Sequence, residues 1–343
     1  MKSIRRIISI AMLLCICLNV DAGKPNLKFN GEGEFKIVQL TDLHLNIDHP
    51  AEAVKTLARV QNIISSEHPD FIAITGDVLY GGNPSLDLLG KLLECLETNG
   101  VDYAIVYGNH DREGHRDAVE MSRMIASGAH SHNVLNADGL LADVCISVSP
   151  TRDRKASPLD IYMFDSHDYA SNDGYAQVGG YSWLSRAQID WYTAQCLEAN
   201  KANGGRNVPS VSFFHIPFPE FLDAWLEAES TKHNSVIGLR GEYGGHPRVN
   251  SGMFTAMLES GNMMGVFCGH DHDSNYIVGY RGIALVYGCF SGDDTVYNHL
   301  AHSTRVVVVR EGERCFRTWN HDDDGRIVYD AEYKDGKVTN FKK

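Results

Sequence analysis

The sequence lacks an excess of positive charge. Its 31 lysine and arginine residues are outnumbered by 44 aspartate and glutamate residues, so the formal net charge is −13 at pH 7. Proteins that bind a nucleic-acid backbone or an anionic membrane surface normally concentrate positive charge where they bind. The composition therefore argues against either one as the main partner of this chain.

The sequence also lacks an apolar run long enough to cross a bilayer comfortably, which takes about 20 residues. The run at residues 7–18 follows a basic segment ending at Arg6 and precedes the small residues Ala22-Gly23. This order is typical of a secretory signal peptide. We therefore predict a signal peptide over residues 1–22 and an exported protein, periplasmic or extracellular, with no stable membrane insertion after cleavage. An uncleaved anchor is the alternative.

Cysteine is sparse and widely spaced after the predicted cleavage point. The six positions are Cys95, Cys145, Cys196, Cys268, Cys289 and Cys315. Export would permit disulfides, but several of these cysteines lie in apolar runs, where buried free thiols are equally reasonable. The sequence leaves both alternatives open.

Internal repeats and low-complexity linkers are absent as well. The sequence has 343 residues, of which 43% are hydrophobic, so it can bury a large core. We predict a single domain over residues 23–343 with an antiparallel, strand-rich C-terminal portion.

What the sequence does contain is a series of short apolar runs, each typical of a buried strand. Strands are predicted at 35–42, 71–77, 101–107, 161–165, 208–214 and 264–268, with helices at 54–64, 86–96, 116–127, 185–200 and 253–259. Five shorter strands follow residue 275, whereas residues 128–160 and 238–252 are expected to be less regular. The alternation of strands and helices predicts an α/β fold with two mixed sheets flanked by helices.

Five of the predicted strands end in side chains that can bind a metal. These are Asp42 and His44, Asp77, Asn109 and His110, His215, and His270 with His272. In α/β proteins, ligands bind beyond the carboxyl ends of the sheet strands. We therefore expect these side chains to lie together along one edge of the sheets. Asp77 is the best placed to bridge two metal ions, because the turn at Gly76 brings it to the edge of the sheet.

The donors are nitrogens and oxygens without a cysteine. This set suits two divalent or mixed-valence ions of Fe, Mn or Zn rather than a structural thiolate zinc site. Two cations bridged by a carboxylate can stabilise both the attacking and the leaving oxygen of a displacement at phosphorus. They also lower the pKa of the water between them. We expect neutral Asn109 to complete one coordination sphere, and His110 to donate a proton or a hydrogen bond rather than to bind metal.

In this order the motifs resemble the calcineurin-like metallophosphoesterase superfamily. The resemblance covers residues 35 to about 310 and is carried by Asp42-Leu43-His44, Gly76-Asp77, Gly108-Asn109-His110-Asp111, His215 and Gly269-His270-Asp271-His272. It implies a four-layer sandwich of two mixed β-sheets flanked by helices. It also implies one metal on Asp42, His44, Asp77 and His272, a second on Asp77, Asn109, His215 and His270, and His110 as the proton donor.

Within this superfamily the chain is similar to the purple acid phosphatases. Gly76-Asp77-Val78-Leu79-Tyr80 resembles their motif in which the tyrosine binds ferric iron. The chain departs from those enzymes at His44, where they have no histidine ligand. We therefore favour His44 as the ligand and expect Tyr80 to pack at the rim of the site.

Four neighbouring residues have open interpretations. Asp111 and Asp271 either orient the adjacent histidines or cap turns. Arg112 either meets a phosphate or is an ordinary exposed arginine beside a turn. Among the remaining loop histidines, His246 is the best candidate for a contact with substrate.

These residues predict a secreted dinuclear metal-dependent phosphoesterase with a small phosphorylated substrate, most readily a phosphomonoester. The alternatives are a phosphodiesterase or nucleotidase of the same fold, and a non-catalytic binding protein that keeps the fold. The presence of His110 and of every expected ligand favours the enzyme. Neither the substrate nor an oligomeric state can be deduced from the sequence.

Overall fold

The computed structural model describes residues 26–82, 86–113, 117–153, 155–231, 236–294 and 299–341. The predicted signal peptide, residues 1–22, lies outside these ranges. Among the described helices, none combines the length and the apolar character that a membrane span requires.

The described residues form strands and helices in alternation, followed by antiparallel strands. The strands are β1 (Glu34–Leu40), β2 (Phe71–Thr75), β3 (Asp102–Val106), β4 (Val144–Val148), β5 (Leu159–Met163), β6 (Ser210–Phe213), β7 (Val236–Ile237), β8 (Met263–Cys268), β9 (Ile277–Tyr280), β10 (Ile283–Tyr287), β11 (Ser303–Arg310), β12 (Cys315–Asp322), β13 (Ile327–Lys334) and β14 (Lys337–Asn340). The helices are α1 (Pro50–Glu67), α2 (Asp87–Asn99), α3 (Ala118–Ala126), α4 (Arg186–Ala202), α5 (Pro219–Thr231) and α6 (Met253–Ser260).

Two mixed sheets are built from these strands. The first has the order β14-β13-β12-β11-β1-β2-β3 and the second β4-β5-β6-β8-β10-β9-β7. In the first sheet β1, β2 and β3 are parallel, and β11 to β14 continue it antiparallel. In the second sheet β5, β6, β8 and β10 are parallel neighbours. The parallel strands of each sheet therefore bring their carboxyl ends to a common edge.

The core consists of three apolar layers, which follow from alternation along the strands. In β1, Phe35 and Ile37 face the layer between the two sheets, which also contains Phe213 and Phe267 of the second sheet. The other face of β1 presents Val38 to a layer shared with α1, α2 and α3, and the second sheet has an equivalent layer with α4, α5 and α6. Helix, sheet, sheet and helix are thus stacked in that order, which confirms the predicted sandwich.

Four of these elements are not predicted from the sequence: β4, β7, β14 and α5. Strand β4 lies in the stretch expected to be less regular. It is at the edge of its sheet, so only alternate residues, Val144, Ile146 and Val148, are buried and it has no continuous apolar run. Helix α5 has no predicted counterpart, although Pro219 at its first position is a common helix start.

The six cysteines from Cys95 to Cys315 are all free thiols.

Candidate metal centre

Five strand ends from both sheets converge on one site. β1, β2 and β3 lead into it from the first sheet, and β6 and β8 lead into it from the second. The amide of His270 donates to Asp42 Oδ2 at 3.1 Å, which joins the two sheets across the site. Seven of the eight residues predicted from the strand ends are at most 6% exposed: Asp42, His44, Asp77, Asn109, His215, His270 and His272. The eighth, His110, is half-buried.

The backbone of several candidate ligands lies in the left-handed region, which is unfavourable for residues other than glycine. The φ angles are 53° at Asp42, 45° at His44, 50° at Asp77 and 75° at His270. Such backbone strain persists only where the surrounding structure holds it, and it clusters at functional sites. The turns after β1, β2 and β8 therefore place these side chains at some conformational cost, as expected for a site selected for its chemistry.

Two glycines allow the loops to approach this closely. A Cβ atom on Gly108 would lie 2.1 Å from Asp77 Oδ1, and one on Gly269 would lie 1.8 Å from Thr41 Oγ1. Both distances are far inside van der Waals contact. The glycines that precede Asn109 and His270 are therefore required by the packing of neighbouring loops against Asp77 and Asp42.

We expect Gly108→Ala to lower the metal content, because the added methyl group must displace the Asp77 carboxylate or the loop that carries it. Overpacking of this kind typically costs about 1–3 kcal/mol of stability. The control is Gly90→Ala in α2, where the nearest atom to a new Cβ is Met124 at 3.9 Å. Metal analysis of both purified variants checks the prediction. Wild-type metal content in Gly108→Ala would contradict it.

The potential ligand atoms form three overlapping groups, within each of which all atoms lie within 4.8 Å of one another. The groups are Asp42, His44 and His272; Asp77, His215 and His270; and His44, Asp77 and His110. Asp77 Oδ2 lies 3.1 Å from His215 Nε2 and 3.5 Å from His44 Nε2. One carboxylate oxygen thus faces a histidine from each of the first two groups, which is the position that a bridging ligand needs.

The orientation of His215 follows from a backbone contact. Its Nδ1 lies 2.8 Å from the carbonyl oxygen of Thr75. Because a carbonyl only accepts, Nδ1 carries the hydrogen and Nε2 is left to face the site. Nε2 lies 3.2 Å from Asn109 Oδ1 and 3.3 Å from His270 Nδ1. Three atoms that can bind a metal ion therefore lie close together.

The charges of the site suit metal ligands. Burial raises the pKa of Asp42, but the neighbouring His272 and His215 outweigh this effect and hold the pKa at about 2. Burial acts on Asp77 in the same direction, and the charge of His215 nevertheless keeps its pKa well below the ordinary value. Burial and the nearby His215 lower the pKa of His270 to about 3. Ionised carboxylates and the neutral His270 imidazole are the forms in which these groups bind metal. Burial lowers the pKa of His215, but the Asp77 carboxylate outweighs it and raises the pKa to about 10, so His215 would release a proton on binding a metal.

Both ring nitrogens of His44 are buried and have no hydrogen-bond partner among the described residues. Leaving buried polar atoms without partners is costly, so such atoms point to a missing ligand. The other donors are carboxylates, imidazoles and one amide, which suit Zn, Mn or Fe. The residues present therefore fit two cations, with Asp77 between them.

The carboxylates of Asp111 and Asp271 accept hydrogen bonds from backbone amides of the loops around the site. Asp111 accepts hydrogen bonds from the amides of Leu79 and Gly108 at 2.9 and 2.8 Å, so it ties together the loops that follow β2 and β3. Asp271 accepts from the amide of Gly245 at 2.8 Å and from the Tyr287 hydroxyl. From the sequence we expect these carboxylates either to orient the adjacent histidines or to cap turns. Their contacts with backbone amides support the second role.

Tyr80 and Arg112 have partners of their own. The ring of Tyr80 stacks on that of His44, with centroids 4.8 Å apart and planes 7° apart, which supports the predicted packing role. Arg112 pairs with Asp165 and lies over the ring of Tyr107, so it is not an ordinary exposed arginine.

Three further residues around the site lie outside the sequence motifs described above: Glu113, Tyr169 and Tyr181. Glu113 Oε2 lies 2.7 Å from His110 Nδ1, and Tyr169 donates to Glu113 Oε1 at 2.9 Å. Tyr181 packs edge-on against His270 with ring centroids 4.3 Å apart. His246 lies beside Gly245, which approaches His270 closely, so it is near the site, and its contact with substrate stays a prediction. Glu113 could have been found from its spacing of three residues after His110, which brings the two side chains together in a helical turn.

The comparisons with known proteins agree with this geometry. The sequence model described as calcineurin-like phosphoesterase matches residues 35–274. The chain is 29% identical to probable inactive purple acid phosphatase 14 of Arabidopsis thaliana, over 87% of this chain and 81% of that protein. It is also 29% identical to the phosphatase DCR2 of Saccharomyces cerevisiae, over 75% of this chain and 47% of that protein.

A solved structure, a dimetal phosphatase from Danio rerio, has the same fold. It aligns with a TM-score of 0.60 at 11% identity, covering 88% of this chain and 99% of that one. At this identity the likeness concerns the fold alone, whereas the family match covers most of the residues that carry the site. The chain therefore belongs to the calcineurin-like phosphoesterase family, with relatives named as purple acid phosphatases.

Proposed function

We propose that this chain is an exported, dinuclear metal-dependent phosphoesterase that hydrolyses phosphomonoesters. The observation that carries the proposal is the arrangement around Asp77. Its carboxylate belongs to a group with His215 and His270 and to another with His44 and His110. This placement supports Asp77 as a ligand shared by two metal ions, with one additional histidine beside it.

The assignment of ligands is the one that the family resemblance implies, and the three groups of atoms are compatible with it. Asp42, His44, Asp77 and His272 would hold one ion, and Asp77, Asn109, His215 and His270 would hold the other. Fe, Mn and Zn are the ions that this set of oxygen and nitrogen donors suits. When bound, two such ions would neutralise charge on the phosphoryl group and lower the pKa of a water held between them.

The chain itself supplies orientation and a proton. His110 stands at the edge of the ligand cluster with about a quarter of its side chain exposed, whereas the side chains of His44 and His215 are inaccessible. An exposed position is what a residue needs to meet the leaving oxygen of a substrate. Because the Nδ1 hydrogen of His110 is held by Glu113, the protonated ring gives its Nε2 hydrogen to the leaving oxygen and becomes neutral.

Monoesters are favoured over diesters because the relatives are named phosphatases. Three relatives are named probable inactive purple acid phosphatases, which bears on the alternative of a non-catalytic binding protein. This chain has a complete set of ligand candidates together with His110, which supports the enzyme. Export is proposed from the N-terminal segment, residues 1–22, whose composition is that of a signal peptide.

Hydrolysis of a panel of phosphoesters, with metal analysis of the same preparation, tests the proposal. We expect an aryl and an alkyl phosphomonoester to be hydrolysed faster than a diester or a nucleotide, by protein with about two metal ions bound. The Asp77→Asn variant, purified in the same way, controls for contaminating phosphatases. Faster turnover of the diester would support the phosphodiesterase alternative. Two bound metals without hydrolysis of any ester would support the binding protein.

A further inference from the structure

We propose that Glu113 is the positioning residue of His110, and that Tyr169 holds Glu113 in place. This inference rests on the proposed role of His110 as the proton donor. Glu113 is not among the candidate ligands and has no counterpart in the sequence motifs that carry the family resemblance.

The first contact is between the two side chains. Residues 110–112 form a single 3₁₀ turn, in which the amide of Glu113 donates to the carbonyl of His110 at 3.1 Å. This turn places Glu113 Oε2 at 2.7 Å from His110 Nδ1. A carboxylate at this distance accepts the Nδ1 hydrogen, so Nε2 is the nitrogen that faces the substrate. The imidazolium gives its Nε2 hydrogen to the leaving oxygen and is left as the neutral Nδ1–H tautomer.

The second oxygen of Glu113 is also engaged. Tyr169 donates its hydroxyl hydrogen to Glu113 Oε1 at 2.9 Å, and the same hydroxyl oxygen accepts from Asn109 Nδ2 at 3.3 Å. The side-chain amide of Asn109 is thereby oriented with its Oδ1 toward His215 Nε2. One short chain of hydrogen bonds therefore connects a candidate metal ligand, Tyr169, Glu113 and His110.

Tyr169 is itself fixed by packing. Its ring stacks on Tyr181, with centroids 5.7 Å apart and planes 25° apart, and Tyr181 lies edge-on to His270. The segment that contains both tyrosines thus rests against a candidate ligand of the site. Glu113 is held at both oxygens by groups that belong to the site, which distinguishes it from a mobile surface carboxylate.

The alternative is an ordinary ion pair at spacing i,i+3, because the two side chains are 26% and 38% exposed. Such a pair contributes little, typically about 0–1 kcal/mol of stability. The two interpretations therefore differ in their readouts. A surface pair affects stability slightly and turnover not at all, whereas a positioning carboxylate affects turnover and the tautomer of His110.

The test begins with Glu113→Ala and Tyr169→Phe. We expect Glu113→Ala to keep wild-type metal content and melting temperature, and to lower kcat on an alkyl phosphomonoester about 10–100-fold at little changed KM. The loss on 4-nitrophenyl phosphate should be smaller, because that leaving group needs less protonation. Tyr169→Phe should show the same pattern more weakly. Matched controls are Glu120→Gln, at an exposed glutamate of α3, and Tyr175→Phe, in the same segment as Tyr169.

A double-mutant cycle separates action through His110 from any other action. In a His110→Ala background, Glu113→Ala should have no further effect on kcat. An additional loss as large as in the wild-type background would overturn the proposal, as would wild-type kcat on the alkyl ester in Glu113→Ala.

A readout without turnover keeps this inference separate from the proposed function. The ¹⁵N NMR shifts of His110 in the purified chain report which ring nitrogen carries the hydrogen. At a pH where the ring is neutral, we expect predominantly the Nδ1–H form in the wild type, and a mixture of tautomers in Glu113→Ala. Identical tautomer ratios would overturn the role of Glu113. If the wild type hydrolyses no ester but the ratio changes, the proposed function fails while the positioning contact stands.

Discussion

Asp77→Asn is expected to remove both metal ions and to lower phosphoester hydrolysis by about 10³-fold or more, whereas Asp42→Asn should lose mainly one ion. Loss of several kcal/mol of charge stabilisation corresponds to a factor of this size. The reason is geometric. Asp77 Oδ2 faces His215 at 3.1 Å and His44 at 3.5 Å, while Asp42 contacts His272, from its own group, at 3.4 Å.

Metal content per chain, measured for both variants after the same purification, decides this prediction. Asp160→Asn is a suitable control, because Asp160 is also a buried carboxylate but lies at the opposite end of its strand from the site. Burial raises the pKa of Asp160 to about 6, so burial disfavours the charge that the uncharged amide removes. The control should keep both ions. Equal metal losses in Asp77→Asn and Asp42→Asn would argue against a bridging carboxylate.

His110→Gln is expected to keep about two metal ions per chain and to lose about 10²–10⁴-fold in turnover, the usual contribution of a general acid. The loss should be larger for an alkyl phosphate than for a nitrophenyl phosphate, because a poor leaving group depends more on protonation. Kinetics on the two esters, together with metal analysis, provide the comparison. His130→Gln is the matched control, since His130 also approaches a carboxylate, Asp102, but lies at the far end of β3.

This experiment also resolves an ambiguity in the geometry. His110 lies with His44 and Asp77 in a group compact enough to hold an ion. If His110→Gln loses a metal, His110 is a ligand and the division of roles proposed here is wrong. If the variant keeps full activity on the alkyl ester, the proton comes from water or from another side chain.

The architecture could be predicted because each buried strand is followed directly by polar residues. Parallel strands bring their carboxyl ends to one edge, so Asp42, Asp77 and His215 could be expected together although they are far apart in sequence. The structure does bring all eight candidate residues together. Their roles as ligands and as proton donor remain predictions that the variants above address.

The rest of the site could not be predicted, because it depends on long-range contacts of irregular segments. Tyr169 reaches Glu113 and Tyr181 reaches His270 from a loop without apolar periodicity, and no local rule specifies where such a loop will lie. The backbone strain at Asp42 and His44 is similarly invisible, since neither residue type favours a positive φ as glycine does. Edge strand β4 was missed because its alternation is short.

Catalysis by this chain is proposed to depend on two metal ions that share Asp77. Titration of the metal-free chain with Mn²⁺ or Zn²⁺, followed by hydrolysis of a phosphomonoester, tests it most directly. We predict no hydrolysis without metal and activity that saturates at about two equivalents per chain, because both groups of ligands must be filled. Full hydrolysis by the metal-free chain, or saturation at a single equivalent, would contradict the account.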